Sequence, residues 1–100
     1  MPALFPDREA LANICERHGI RRLSLFGSVA AGTARPDSDV DLLVEFAPGV
    51  APSFLDLAAI EMELTALLDG RRVDLRTAQE LSRYFREQVV RTAELQFAAA

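Results

Sequence analysis

The segment Asp39–Phe46 constrains the fold of this chain more than any other part of it. Its even-numbered positions are all apolar, and this two-residue alternation predicts a β-strand with one face buried in a core. The other face opens with two aspartates, Asp39 and Asp41, which interrupt an otherwise strongly apolar strand. A fold must therefore bury one side of this strand and stabilise two carboxylates on the other. The four apolar residues are Val40, Leu42, Val44 and Phe46.

Capping signals and turn residues divide the rest of the chain into short elements. Asp7 and Ser53 are expected to cap helices, Gly19 is suited to end one, and Thr77 and Glu80 have capping-box spacing. The first half of the chain is predicted to form a helix over 8–18, a strand over 20–26, a turn with a short helix and loop over 27–38, and the strand 39–46. A helix over 53–68, a strand over 72–76 and helical structure from 77 toward the C-terminus are predicted to follow. Residues 97–100 are expected to be a frayed tail or part of an interface.

This order of elements predicts an α/β or α+β fold built on one small sheet. With 100 residues, the chain supports one core, so we expect residues 1–100 to form a single domain. No apolar run approaches the roughly 20 residues that span a bilayer, so no membrane partner is expected. The single cysteine, Cys15, has no internal disulfide partner, which favours the cytoplasm. A net charge of −4 argues against general nucleic-acid binding.

Three aspartates are the candidates for metal binding. Asp39 and Asp41 lie two apart on a strand, hence on one face and about 7 Å from each other. Like charges so placed repel, and they are costly to desolvate unless a cation neutralises them. Asp74 lies between the apolar residues Val73 and Leu75, so it points away from the face that those two bury. If its strand lies beside 39–46, the three carboxylates converge, and their number favours two Mg²⁺ ions. The simpler alternatives are an exposed strand face, a loop cap or a strand-edge acid.

The turn Gly27-Ser28 is a candidate phosphate site. It follows a predicted strand directly, and the alanine-rich segment after it can start a helix. Backbone N–H groups at a helix start attract anions, glycine allows close approach, and the serine hydroxyl adds a donor. Ser28 is also a candidate cap for the following helix.

These residues together resemble a known family. The run Phe26-Gly27-Ser28-Val29-Ala30-Ala31-Gly32, then Pro36-Asp37-Ser38-Asp39-Val40-Asp41-Leu42-Leu43-Val44, and later Val73-Asp74-Leu75 are similar to the signature of the nucleotidyltransferase (DNA polymerase β-like) superfamily. The likeness is greatest to the small, stand-alone MNT or MntA-like antitoxins, and it covers roughly residues 8–92. It implies the nucleotidyltransferase fold, a small mixed β-sheet flanked by helices.

The resemblance also implies a reaction. Gly27 and Ser28 would bind the triphosphate, and Asp39 and Asp41 would hold both Mg²⁺ ions. Asp74 would complete the shell of the catalytic ion and help to deprotonate the attacking hydroxyl. The expected reaction is transfer of AMP from ATP to a hydroxyl, typically a tyrosine hydroxyl of a HEPN-type toxin, as in the antitoxins of this family.

One departure from the family pattern leaves a second function open. Family members often carry arginine where this chain has Val29 and Ala31. Several other arginines are candidates to supply the missing positive charge. The alternative is a non-catalytic binding module that neutralises a toxin by forming a complex; the oligomeric state and the base preference stay open as well. The candidate arginines are Arg35, Arg71, Arg72 and Arg76.

Overall fold

One mixed sheet forms the centre of the structure, a computed structural model that describes residues 4–35, 37–81 and 83–99. Its strands are β1 (Ile20–Phe26), β2 (Val40–Phe46), β3 (Val73–Arg76) and β4 (Glu94–Ala98). Their spatial order is β3-β2-β1-β4. The central pair β1–β2 is antiparallel, β3 runs parallel to β2, and β4 runs antiparallel to β1. The predicted small sheet is confirmed.

Capping residues set the ends of the helices as the sequence predicts. The Asp7 side chain accepts a hydrogen bond from the backbone N–H of Ala10 at 3.0 Å, and Gly19 ends the first helix in the left-handed conformation. Ser53 and Asp56 form a reciprocal capping box at the start of the third helix. The helices are α1 (Arg8–His18), α2 (Gly27–Ala31), α3 (Phe54–Leu67) and α4 (Arg83–Thr92), with a 3₁₀ turn over Ala78–Glu80.

The main core lies between one face of the sheet and the helices α1 and α3. The alternation in β2 works as predicted, because its even-numbered residues join this core while Leu43 packs on the opposite face with Phe26. The second face is covered by the 3₁₀ turn and α4 through a smaller cluster that includes Leu81 and Val89. The two faces of the sheet are therefore chemically distinct, and Asp41 belongs to the second.

The C-terminal region differs from the prediction. Thr77 and Glu80 form their capping box, but it starts only the 3₁₀ turn, and the chain continues through α4 into the strand β4. The predicted helical structure is confirmed over Arg83–Thr92 but does not continue to the C-terminus. Phe97 and Ala98, expected in a frayed tail or an interface, are paired with β1, and Ala100 lies outside the described residues. The physical reason is an inverted pattern. In β4, the polar Gln96 is buried and accepts a hydrogen bond from the backbone N–H of Leu4 at 2.9 Å, while Leu95 is exposed.

The outer edge of β3 is bonded to α3 through side chains. The backbone N–H of Val73 donates to Thr65 Oγ1 at 3.1 Å, and the N–H of Leu75 donates to Glu61 Oε2 at 2.7 Å. These bonds fix the short strand that carries Asp74. No helix within the described residues is long and apolar enough to cross a membrane.

Candidate active site

Asp41 and Asp74 lie side by side on neighbouring strands. The parallel pairing of β2 with β3 places Asp41 opposite Asp74, with the apolar pair Leu42 and Leu75 next in register. Because the leucines enter the main core, the two carboxylates lie on the other face of the sheet. The structure thus brings together two of the three aspartates that are candidate metal ligands in the sequence.

Asp39 lies at the entrance to β2 instead of within it. It is exposed and precedes the first strand residue, Val40. Within 4–35, 37–81 and 83–99, no three Asp, Glu, His or Cys side chains form a group close enough to hold a metal ion. The structure therefore brings together two of the three predicted carboxylates and leaves Asp39 beside them at the end of the strand.

The environment of Asp41 disfavours its ionised form. Burial raises the pKa of Asp41 above its usual value, and the negative charges of Asp74 and then Asp39 raise it further, whereas the Arg76 guanidinium lowers it. A carboxylate held near two like charges gains from a nearby cation. Both Arg76 and a bound metal ion would serve that purpose, and a perturbed carboxyl in a cleft is typical of functional sites.

Gly27 packs directly against the Asp41 side chain. Its φ angle is +78°, and a Cβ atom at this position would lie 2.3 Å from Asp41 Oδ2. Only glycine fits both the backbone angle and the contact. The register explains the contact, because Phe26, the last residue of β1, is paired with Asp41. Ser28 lies inside α2, whose N-cap is Phe26 without a side-chain cap bond, so the expectation that Ser28 caps this helix is wrong.

A cleft of about 440 Å³ opens beside these residues. Its volume is in the range of small-molecule binding sites. Asp41 and Asp74 of the sheet line it together with Glu80 of the 3₁₀ turn, and its apolar lining includes Leu81 and Phe85. The contribution of Glu80, Leu81 and Phe85 is not visible from the sequence, where the Thr77–Glu80 spacing predicts only the start of a helix. The lining residues are Phe26, Gly27, Asp41, Asp74, Arg76, Glu80, Leu81 and Phe85.

Arg76 is the candidate arginine that lines this cleft. Its Nη2 lies 3.2 Å from Asp74 Oδ2, and its Nη1 lies 3.9 Å from Glu80 Oε2. Arg71 instead donates from Nε to the backbone carbonyl of Ser38 at 3.2 Å and so braces the loop before β2. Arg72 lines a different groove, between α3 and β3. Arg76 thus supplies positive charge on the site face.

Comparison with known proteins identifies relatives of this chain. The family described as nucleotidyltransferase domain matches residues 8–95. Protein adenylyltransferase MntA of Thermococcus cleftensis is 50% identical over 60 residues, which are 60% of this chain and 58% of that protein. The matched segment thus spans less than two thirds of that relative.

Solved structures share the fold. A structure assigned to a minimal nucleotidyltransferase superposes with a TM-score of 0.70 at 49% identity, and the match covers 86% of this chain and 85% of the other. A toxin–antitoxin crystal structure with AMP-PNP superposes with a TM-score of 0.70 over 93% of this chain and 74% of the other. At 22% identity, the second comparison shows the fold alone. The predicted architecture, a mixed sheet flanked by helices, is confirmed.

Proposed function

The chain belongs to the nucleotidyltransferase domain family, and we propose that it transfers AMP from ATP to a hydroxyl, in particular a tyrosine hydroxyl, of a partner protein. One observation carries the proposal: Asp41 and Asp74 are register partners on one sheet face, with Gly27 packed against Asp41. The relative named protein adenylyltransferase MntA supports the choice of AMP as the transferred group. The toxin–antitoxin structure with AMP-PNP is consistent with ATP as the donor.

We assign the metal site to the three aspartates. Asp41 and Asp74 supply adjacent carboxylate oxygens, and Asp39 lies directly before the first residue of β2. Hard oxygen donors suit Mg²⁺, and because burial and then the charges of Asp74 and Asp39 raise the pKa of Asp41, a bound cation would favour its ionised form. The adjacent pair Asp41 and Asp74 fits Mg²⁺, which proteins often bind through one or two carboxylates together with substrate phosphates, and the proposal extends the site to Asp39 and a second ion. When bound, Mg²⁺ neutralises charge on the attacking and leaving oxygens.

We assign the triphosphate site to Gly27, Ser28 and Arg76. Gly27 presents bare backbone to the cleft, and Ser28 follows it with a hydroxyl donor. The Arg76 guanidinium has five N–H donors and bonds to Asp74 through one of them. It offers a cation for phosphate oxygens in a chain that has Val29 where relatives often have arginine. The apolar wall with Leu81 gives the base a surface on which to pack.

The proposed reaction is a displacement at the α-phosphorus of ATP. The acceptor hydroxyl oxygen forms a bond to phosphorus, the bond to the β-phosphate bridging oxygen breaks, and pyrophosphate leaves. Asp74 accepts the hydroxyl proton, and Arg76 keeps this carboxylate in place through the 3.2 Å contact. Asp41 would hold the Mg²⁺ ion that accompanies ATP, and Gly27 allows the triphosphate to approach the backbone closely. Orientation of the two reactants accounts for much of the rate enhancement.

We propose a HEPN-type toxin as the partner and antitoxin as the biological role. The support is the likeness to a toxin–antitoxin assembly and to MntA. We also propose that residues 1–100 form one domain, since the family match covers residues 8–95 and the main core draws on both α1 and β3. A cytoplasmic location is part of the proposal and rests on the free thiol of Cys15.

The experiment incubates the protein with α-labelled ATP, Mg²⁺ and a HEPN-type protein encoded by a neighbouring gene. Transfer predicts label on the partner that disappears in Asp41→Ala and on chelation of Mg²⁺. Asp37→Ala is the matched control, because Asp37 is an exposed aspartate that lies before β2 and outside the assigned set. Replacing the labelled tyrosine of the partner by phenylalanine identifies the acceptor.

Two outcomes would contradict the proposal. Label transfer that persists in Asp41→Ala would remove the aspartates from the mechanism. Neutralisation of the toxin without any label, unchanged by Asp39→Ala and Asp41→Ala, would instead support the alternative of a non-catalytic binding module.

A further inference from the structure

The outer face of α3 is apolar although it is exposed to solvent. Leu55 is 78% exposed and Met62 is 74% exposed. They belong to a row with spacings of four, three and four residues, opposite the buried Ile60 and Leu64. Residues so spaced form one stripe along a helix. We call these four residues the α3 stripe: Leu55, Ala59, Met62 and Ala66.

The charged residues of α3 lie on its flanks and leave the α3 stripe free of charge. Glu63 pairs with Arg17 and His18 of α1, and Asp56 lines a recess on the same side. Glu61 accepts its hydrogen bond from β3 on the other flank. A surface helix normally turns its polar residues to water. Here the face most distant from the core is the apolar one, which marks an interaction surface.

We propose that the α3 stripe is the interface of a homodimer in which two α3 helices pack antiparallel about a two-fold axis between Ile60 and Glu61. This axis places Leu55 opposite Ala66 of the second copy, and Ala59 opposite Met62 of the second copy. Each pair joins a large side chain to a small one, so the two helices interdigitate. A second copy of the chain fits the α3 stripe, because in this antiparallel register each large side chain of one copy faces a small side chain of the other.

A groove beside the stripe gives the second copy a further contact. It has a volume of about 480 Å³ and lies between α3 and β3. Phe54 is 85% exposed at the start of α3, on the flank that faces β3. The two-fold axis keeps the β3 flanks of both copies on the same side, so Phe54 of one copy lies at the groove of the other. The groove is lined by Ala58, Glu61, Met62, Thr65, Ala66 and Arg72.

The area of this interface matches a weak but specific dimer. Covering the stripe and Phe54 in both copies removes roughly 1,000 Å² from water, about the lower limit for a specific interface. The dimer also leaves the candidate active sites accessible. The α3 helices pack on the main-core face of the sheet, whereas the cleft with Asp41 and Asp74 lies on the opposite face. The inference is therefore independent of the proposed transfer reaction.

Sedimentation equilibrium of the full chain tests the dimer over a wide range of concentration. The expected mass rises toward twice the 11.0 kDa of the monomer. Ala59→Glu places a charge at the centre of the stripe and should weaken association at least about 10-fold. Val90→Glu is the matched control, because Val90 is an apolar residue on α4 that is 57% exposed and lies outside the stripe.

A size-exchange series tests the register. Ala59→Leu alone sets two large side chains against each other and should weaken the dimer, and adding Met62→Ala to it should restore association. A monomeric wild-type chain at all concentrations would overturn the proposal, including the case in which the stripe binds the HEPN-type partner instead. Equal association of wild type and Ala59→Glu, with circular dichroism showing both folded, would overturn it as well.

Discussion

Replacing Gly27 by alanine tests whether the contact between the turn and the Asp41 carboxylate positions the site. The φ angle of +78° costs a residue with a Cβ atom roughly 1–2 kcal/mol relative to glycine. In addition, the new methyl group would lie 2.3 Å from Asp41 Oδ2 and 3.1 Å from its Cγ, so the carboxylate must move by about an ångström. A displacement of that size costs about 100-fold in rate at a well-oriented site.

We therefore expect two separable effects of Gly27→Ala. The free energy of unfolding should fall by about 1–2 kcal/mol, which lowers the melting temperature by roughly 5–10 °C in a domain of this size. The rate of AMP transfer should fall about 100-fold at a temperature where the variant is fully folded. Thermal denaturation followed by circular dichroism measures the first effect, and transfer of label from α-labelled ATP measures the second.

Gly32→Ala is the control, because it shares the backbone strain without the contact. Gly32 has a φ angle of +76°, and a Cβ atom there would have no neighbour within 4 Å. Its melting temperature should fall to a similar extent while its transfer rate stays within about threefold of wild type. If both variants lose activity equally, or if Gly27→Ala keeps the wild-type rate, the positioning argument is wrong.

Three further predictions concern charge. Arg76→Ala should raise the KM for ATP about 10-fold, and Arg76→Lys should recover part of the loss, as measured by steady-state transfer kinetics. Asp41→Asn should raise the melting temperature at pH 7 by a few degrees, because it removes a charge that burial and Asp74 disfavour. Mg²⁺ at ten times its Kd should stabilise the wild-type protein by about 1.4 kcal/mol, and it should stabilise the variant much less. Hydrogen bonds from Arg17 and His18 lower the pKa of Glu63 below its usual 4.5, so its stabilising effect exists above that pH and is lost as the pH falls through the lowered value. Urea unfolding of Glu63→Gln should show a deficit of about 0.5–1 kcal/mol at pH 7 that shrinks as the pH falls below 4.5 and vanishes below the lowered pKa of Glu63.

The strand β2 shows how much of the fold the sequence predicts. Its alternation predicts which side chains enter the core, whereas the parallel register that places Asp41 beside Asp74 is supplied by the structure. Capping residues such as Asp7 located helix ends within a residue or two. The alternation and the helix ends were predictable because each depends on neighbours in the chain, where period and hydrogen-bonding capacity are visible.

The features that escaped prediction depend on contacts between distant segments. β4 was not recognised because its buried residue is the polar Gln96, whose burial is stabilised by the backbone N–H of Leu4 at the other end of the chain. Likewise, four arginines were equal candidates for the missing charge. Only the packed structure separates Arg76 in the cleft from Arg71, which braces a loop.

The side-chain bonds on the outer edge of β3 restrict how an acceptor protein can approach. The N–H groups of Val73 and Leu75 already donate to Thr65 and Glu61. An incoming strand therefore cannot use these two N–H groups as hydrogen-bond donors. Recognition by strand addition, a common mode of peptide binding, is thereby blocked next to Asp74. In the proposed reaction, the acceptor therefore reaches the carboxylates from above the sheet with its hydroxyl at the tip of a side chain, and this suits the proposed tyrosine better than a short serine.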